Sequence, residues 1–375
     1  MLIGIDATRA NKLQKTGVEW YAWNVIQELK KITVEDGHSW IVYANDPLRG
    51  GLESCPKNWF EKRLSWPFPY GWTQMRLSAE MMKKPADVLF FPGSTLSRKV
   101  GRRTVVTVHD VGFRRYPQIY KKRQVRIHHA SMKDITRRAD AILTVSEFSK
   151  REIVDAYQID PSKIFVTLNG IDHQRYRPME HRADIDERLD RYRLAKPYFI
   201  TVGRLESKKN IVNLVRAFTL FKQRAGAGDP YALVLVGMPG FGYEEIKKEI
   251  VRSTARDLIF ELGYVPESDL PALLNAADAL IHPSWYEGFG IPPIQAMACG
   301  CPVISSSAGS LPEIIGDGNA LFFPPHDANA LANEMATLIQ DRHFTEQLRT
   351  RGIEHSASFT WARTAKQTRD ILVGN

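Results

Sequence analysis

Residues 285–297 read WYEGFGIPPIQAM, with Glu287 and Gln295 near its two ends. A strand-like run, ADALIHPS (277–284), precedes the stretch, and its glycine-rich turn opens what reads as a helix. Backbone N–H groups at such a junction face whatever occupies the turn, which suits an anion. The spacing puts Glu287 on the loop and Gln295 roughly two turns further on, so one reaches the head of a ligand and the other its tail. A second cluster follows the run YFITV (198–202), where GRLESKKN (203–210) carries Arg204 and Lys209 just ahead of a helix. Two cations at a strand end fit a diphosphate, Arg gripping two oxygens in parallel and Lys adding a point charge. A solvated Lys/Arg loop has the same composition; the glycine-rich turn in the same half of the chain favours the phosphate reading.

Positioning these groups takes strands that end together. Short, continuously apolar runs alternate with amphipathic segments along the chain, as strands buried on both faces alternate with covering helices. In the first half the runs are LIGI (2–5), WIVY (40–43), DVLFF (87–91), TVVTV (104–108) and AILTV (141–145). In the second they are YFITV (198–202), ALVLV (232–236), LIFEL (258–262), ALIH (279–282), PVIS (302–305) and ALFF (320–323). The alternation predicts an α/β chain of two doubly wound parallel-sheet domains, 1–175 and 197–359, joined by a charged linker over 176–196. Ligands of such sheets bind outside the carboxyl ends of the strands, so two facing domains would enclose a central cleft. Those strand ends carry Gly17, His109-Asp110, Gly203-Arg204, Gly237 and the Glu287 turn.

Composition narrows the partners. The net charge of +9 is divided unevenly, +11 over residues 1–175 and −2 over the remainder, which points to an anionic surface or partner met by the first half alone. WPFPYGWTQMRLSAEMMKK (66–84) and RRYPQIYKKRQVRIHHASMKDITRR (114–138) mix aromatics with cations, as a surface docking anionic lipid or a lipid-linked acceptor does; a solvated helix face is the alternative. No apolar run approaches about 20 residues and the N-terminus reads as a strand, so a cytoplasmic protein, peripheral on the inner face of the membrane, is expected. Cys299 and Cys301 flank Gly300 without the further ligands that zinc needs. Asp184-Ile-Asp186 has the spacing of a metal clamp but sits in ADIDERLDRYR, better explained as a solvated helix face, and no metal is expected. VGMPGFGYEE (236–245) places three glycines after a strand, spaced G-x-x-G-x-G rather than G-x-G-x-x-G, which disfavours a nicotinamide or flavin site.

The segments IGIDATRANKLQKTGVEWYAWNVIQEL, TVHD, TVSEFSKREI, LNGID, VGRLESKKN and GYVPESDLPALLNAADALIHPSWYEGFGIPPIQAMACGCPVISSSAGSLPEI together resemble family 4 of the glycosyltransferases. These are retaining sugar transferases of the GT-B fold that use nucleotide-diphospho sugars. HPSWYEGFG with the downstream AMACGCPV carries most of the likeness, whereas TVHD or NGID alone would be weak. The resemblance implies an N-terminal acceptor-binding domain, with a C-terminal helix of about 360–375 packing back on it, and a C-terminal nucleotide-sugar domain. It implies that Arg204 and Lys209 neutralise the diphosphate, that Glu287 contacts the donor sugar and that His109 reaches that sugar. The backbone of Gly203, Gly288, Phe289, Gly290 and Ile291 would cradle sugar and phosphate, Gly17 would lie near the distal phosphate, and Tyr264 and Val265 would read the base.

Two departures stand out. Thr16-Gly17 offers one glycine where the family often has two, and Gln295 replaces the glutamate that accepts hydrogen bonds from the ribose. Glutamine keeps an acceptor but loses charge assistance, a difference of about 1 kcal/mol. The implied donor is a GDP- or UDP-hexose, with mannose from a guanosine donor favoured, and no cofactor is required. The implied partners are that sugar nucleotide, a glycan or lipid-linked acceptor and an anionic membrane surface, with no nucleic acid. An epimerase or hydrolase of the same fold, or a non-catalytic nucleotide-sugar binder, is the alternative.

Overall fold

A computed structural model of the protein describes residues 1–194, 197–226 and 228–374, and its chain divides into two compact units. The first comprises Met1–Arg115, Lys122–Gly170 and the C-terminal segment from Thr360. Its strands are β1 (Leu2–Asp6), β2 (Ser39–Ala44), β3 (Trp59–Arg63), β4 (Val88–Phe91), β5 (Arg103–Thr107), β6 (Ala141–Thr144) and β7 (Ile164–Val166). They form one parallel sheet in the order β3-β2-β1-β4-β5-β6-β7. The order reverses between β1 and β4: the chain first builds outward through β2 and β3, then returns to the other side of β1. Loops leaving β1 and β4 therefore diverge, and a doubly wound sheet opens its crevice there.

Helices cover both faces. The helix Gly17–Ile32 buries Tyr21, Ala22, Val25, Ile26 and Leu29, the stripe that a 3.6-residue period lays on one side. The C-terminal helix Trp361–Val373 buries Trp361, Ala365 and Leu372 in the same core. The Arg103 guanidinium donates to the carbonyls of Ile371 and Leu372 at 2.6 and 3.0 Å, satisfying groups that a helix end leaves open. Gly170 passes so close that a Cβ there would lie 2.1 Å from the Trp361 backbone nitrogen, which only glycine permits.

The second unit comprises Tyr116–Lys121 and Ile171–Phe359. Its strands β8 (Tyr198–Val202), β9 (Ala232–Val236), β10 (Ile259–Gly263), β11 (Ala279–His282), β12 (Val303–Ser306) and β13 (Leu321–Phe323) form a parallel sheet in the order β10-β9-β8-β11-β12-β13. The reversal here falls between β8 and β11. All eleven apolar runs of the sequence are strands, and β3 and β7 are two that hydropathy does not reveal. Both are sheet edges: β3, WFEKR, buries only Trp59 fully and turns its charged residues toward solvent, and β7 is three residues long. Charge and brevity at an edge protect it from pairing with other chains and also erase its hydropathy signal.

The stretch expected as a linker, 176–196, differs from that expectation as far as it is described. It carries the helix Arg182–Arg191, which buries Ile185 and Leu189 against the helix Leu270–Ala276, and the Tyr192 hydroxyl donates to Asp269 at 2.9 Å. Asp184 and Asp186 lie on the exposed side of this helix, Asp186 beside Arg182. Residues 195 and 196 lie outside the described chain.

Candidate active site

The β8–β11 reversal gathers the residues singled out around Glu287. After β8 the chain turns at Gly203, passes Arg204, and makes a short turn at Ser207–Lys209 before the helix Ile211–Ala225. Asn210 caps that helix in the left-handed region, at φ 56°. Its side-chain amide donates to the carbonyl of Pro283, at the end of β11, and to that of Pro325. A second tie runs from the Trp285 N–H to the Lys208 carbonyl at 3.0 Å. These bonds lock the two loops together and bring Lys209 to Glu287, 78 positions away in sequence.

Glu287 is buried, and its Oε1 collects three contacts: Lys209 Nζ at 2.5 Å, Ser284 Oγ at 2.7 Å and His282 Nε2 at 3.2 Å. Its own carbonyl accepts from the N–H and the hydroxyl of Ser310, at 3.1 and 3.0 Å. Gly309 sits on the Glu287 backbone, where a Cβ would come within 2.6 Å of that carbonyl oxygen. Burial alone would raise the pKa of this carboxyl; the charges of Lys209 and Lys208, with the His282 bond, override it and hold the group well below its usual range. His282 is fully buried, and that burial lowers its pKa, which favours the neutral ring. Among the described residues no hydrogen bond reaches Oε2, so the carboxylate keeps one oxygen available as an acceptor. His282, Ser284, Gly309 and Ser310 escape sequence reasoning, which reads His282 as the end of an apolar strand; a buried-looking histidine two positions before a serine and five before a glutamate is the signal.

Arg204 is exposed at the same strand end and has no ion-pair partner among the described residues. Three glycines bear on its loop. A Cβ at Gly237 would fall 1.8 Å from the Gly203 carbonyl oxygen, one at Gly240 2.8 Å from the Arg204 side chain, and one at Gly242 1.9 Å from Ser207 Oγ. The glycine run of VGMPGFG is thus explained by close approach to the loop carrying Arg204. The helix that follows, Tyr243–Arg252, begins with Glu244 and Glu245, which repel a pyrophosphate at its N-terminus.

The glycine-rich turn enters the helix Ile291–Ala298 through Gly290, at φ 94°, where a Cβ would strike Leu311. Phe289 is buried edge-on against Phe359. Pro292 and Pro293 carry no N–H, so the donors at this helix start reduce to Ile291 and the turn ahead of it. Gln295 lies inside the helix, half-buried, and its side chain makes no hydrogen bond among the described residues. After β10, Tyr264 is 70% exposed while Val265 is buried. Cys299 and Cys301 are buried free thiols whose pKa burial pushes up, to about 12 for Cys301, which marks them as packing residues.

His109 and Gly17 belong to the first unit. His109 follows β5, packs edge-on against Tyr21 at 4.7 Å, and its buried Nε2 has no hydrogen-bond partner in the described chain. Burial drives its pKa down to about 4, so the ring is neutral near pH 7. Gly17 opens the helix Gly17–Ile32 with no heavy atom within 4 Å of where a Cβ would stand. Glu19, in the same first turn, accepts from the Thr16 N–H at 3.2 Å and pairs with Arg9 and Lys12.

Comparison with known proteins agrees with this architecture. Residues 186–355 match the family Glycosyl transferases group 1, and residues 15–175 match Glycosyltransferase Family 4. The O-antigen chain mannosyltransferase B of Escherichia coli is 34% identical over 267 residues, 71% of this chain and 69% of that protein. The serotype-specific mannosyltransferase WbdA of the same organism is 32% identical over 231 residues, 61% of this chain but only 28% of that larger protein. Among solved structures, sucrose-phosphate synthase from Thermosynechococcus elongatus superposes over all of both chains with a TM-score of 0.77 at 20% identity. HepE from Anabaena, in complex with UDP and glucose, gives 0.76 at 19% identity over 100% of this chain and 99% of that one. These likenesses show the fold, GT-B, and with the family matches they establish that this chain belongs to the group 1, family 4 glycosyltransferases and is an enzyme of sugar transfer.

Proposed function

We propose that the protein transfers a hexosyl unit, mannose by preference, from a nucleotide-diphospho sugar to an acceptor hydroxyl with retained anomeric configuration, in polysaccharide or glycolipid assembly. The reading places the donor in the second unit and the acceptor in the first. The observation that carries it is the ion pair of Lys209 with Glu287 at the β8–β11 reversal, with Arg204 unpaired at the same strand end. Lys209 spends one of its three donors on Glu287 and has others to offer a phosphate, while Arg204 supplies a planar fork. The turn Gly288–Ile291 adds backbone amides.

Glu287 is ionised but held by three donors on one oxygen, which suits it to fix a sugar hydroxyl through Oε2 rather than to attack the anomeric carbon. Retention then proceeds on the front face: the departing phosphate oxygen takes the acceptor proton while Arg204 and Lys209 stabilise its charge. The unpartnered Nε2 of neutral His109 supports a contact with the donor sugar, and the uncommitted side chain of Gln295 supports one with the ribose. Val265 and Tyr264 are assigned to the base and Gly17 to the distal phosphate on the family pattern. The mannosyltransferase relatives support mannose as the sugar, and the UDP complex of HepE keeps a uridine donor in view beside a guanosine one. The helix Lys122–Arg138, which carries six Lys and Arg and buries only Met132 and Ile135, supports docking on an anionic membrane.

Thermal-shift measurement with guanosine, uridine and adenosine diphosphates is the first test. A nucleotide at about 100 times its dissociation constant adds about 2.7 kcal/mol, and the responding base identifies the donor. NMR of the product made from the matching sugar nucleotide then shows a retained anomer. No response to any nucleoside diphosphate, or an inverted product, contradicts the reading.

A further inference from the structure

Three donors meet Oε1 of Glu287, and they differ in how firmly each is itself held. Lys209 sits on the short turn Ser207–Lys209, and its long side chain is 20% exposed. His282 and Ser284 are buried completely. His282 is the last residue of β11, a strand inside the sheet, and stands in register with Ser305 of β12. The chain beyond it is fixed too: the Pro283 carbonyl accepts from the Asn210 amide at 3.0 Å, and the Ser284 carbonyl accepts from Ser306 Oγ at 2.7 Å. Sheet and loop therefore settle where the ring and the hydroxyl point, whereas the lysine has rotamers to choose from.

The protons on these groups can be placed. Glu287 is ionised, so its oxygens only accept. Burial keeps the His282 ring neutral, and a neutral ring facing that carboxylate carries its proton on Nε2. The Nε2–H donates to Oε1 at 3.2 Å, with Ser284 Oγ at 3.3 Å as its second acceptor, and the serine hydroxyl donates its own proton to Oε1 at 2.7 Å. Hydrogen bonds to a charged acceptor are the strong ones, and two from fixed donors define the carboxylate plane. The far end of the residue is held as well, since Ser310 donates twice to the Glu287 carbonyl.

A diphosphate at the β8 strand end draws on Lys209, and the charge that the lysine shares with phosphate is charge withdrawn from Glu287. His282 and Ser284 have no such second task. We propose that His282 and Ser284 are positioning residues: they hold the Glu287 carboxylate so that Oε2 meets a hydroxyl of the donor sugar, and they keep it there when Lys209 turns to the diphosphate. This rests on the reading of Glu287 as the group that meets the sugar, and assigns a task to the two residues behind it.

The test is titration calorimetry of the full chain with two ligand pairs, GDP with GDP-mannose and UDP with UDP-glucose, for wild type, His282→Gln, His282→Leu and Ser284→Ala. The quantity read is the dissociation constant of the sugar nucleotide divided by that of its nucleoside diphosphate, which isolates the sugar's share of binding. For the pair that binds, this ratio should rise about tenfold in His282→Leu and several-fold in Ser284→Ala. It should stay within about threefold of wild type in His282→Gln, whose amide N–H stands in for Nε2–H. The nucleoside diphosphate alone should bind all four proteins alike, which also shows that they are folded; Ser284→Ala, the smallest change, carries the test if His282→Leu does not fold. An unchanged ratio in His282→Leu and Ser284→Ala overturns the proposal, as does a His282→Gln ratio as high as that of His282→Leu. Equal loss of nucleoside diphosphate and sugar nucleotide affinity overturns it as well, because residues that only support the loop act on both. Those outcomes leave the donor reading intact, whereas no binding of either pair to wild type overturns the donor reading and this inference together.

Discussion

At the β8–β11 reversal the side chains are ionic, buried and committed to one another: Lys209, His282 and Ser284 converge on one oxygen of Glu287, and glycines at 237, 240, 242 and 309 let backbones press against the loops. At the β1–β4 reversal a cavity is open, the side-chain amides of Gln14, Asn45 and Gln74 make no hydrogen bond among the described residues, and a tyrosine stands exposed at the mouth. The two sheets thus put different chemistry at the same topological position. Preorganised charge suits a group that develops charge, and uncommitted amides suit a ligand recognised by hydrogen bonding. The contrast also separates what each site tolerates: the ionic one depends on every partner, while the open one loses contacts singly.

The largest effect expected from that contrast is at Lys209. Lys209→Ala should lower kcat/KM by about 10²–10³ and, because it strands a buried carboxylate, also cost stability of about 3 kcal/mol. Arg204→Ala should cost similar activity with no loss of Tm, since that side chain is exposed and has no ion-pair partner among the described residues. Combining Lys209→Ala with Glu287→Gln should recover much of the stability and none of the turnover, which distinguishes a paired charge from a purely structural one. Steady-state kinetics and thermal melts of the four proteins make the check.

Backbone comes next. Gly237→Ala would force a Cβ to within 1.8 Å of the Gly203 carbonyl at a φ of 145°, and a destabilisation of about 3 kcal/mol is expected from the clash and the strained backbone together. Gly17→Ala, with open space around it, should leave Tm unchanged. Equal melts for both variants would show that the loop beneath Arg204 shifts freely.

A smaller effect concerns pH. His109 has a folded pKa of about 4 against an ordinary value of 6.5, so below about pH 6.5 the unfolded chain takes a proton that the folded chain refuses. The stability it contributes is complete above about pH 6.5 and is lost as pH falls toward 4. Glu19, with a folded pKa of about 2, acts in a lower window, losing its contribution below its ordinary value of 4.5. Denaturant unfolding at about pH 7.5 and about pH 5 should therefore show a steeper loss in wild type than in His109→Asn. His282 shifts in the same direction in both proteins and cancels in the comparison.

The smallest effect expected is at Gln295. Gln295→Glu should tighten the nucleoside diphosphate a few-fold by restoring charge-assisted acceptance, and Gln295→Ala should weaken it, both read by calorimetry. Unchanged affinity in Gln295→Ala would show that the side chain only packs.

Much of this is legible in the sequence alone. Buried parallel strands advertise themselves as apolar runs, and all eleven such runs are strands; β3 and β7 were silent because an edge strand has solvent on one side and little to bury. Arg204, Lys209, Glu287 and Gln295 were readable as a loop chemistry with a resemblance behind it. The Lys209–Glu287 pair was not, since nothing in 78 intervening residues specifies which cation meets which acid; the ties from Asn210 to Pro283 and from Trp285 to Lys208 do that. The cavity at the β1–β4 reversal is hidden for a similar reason. Its lining comes from four separate segments, and WPFPYGW alone reads equally well as a membrane-facing patch.

Hydrogen exchange of the full chain, with and without the nucleoside diphosphate that raises its Tm, addresses the division of labour between the two sheets most directly. The account predicts slowed exchange at residues 203–210 and 287–295 on adding nucleotide, with residues 8–14 and 69–74 unchanged. Protection confined to residues 8–14 and 69–74 would contradict it.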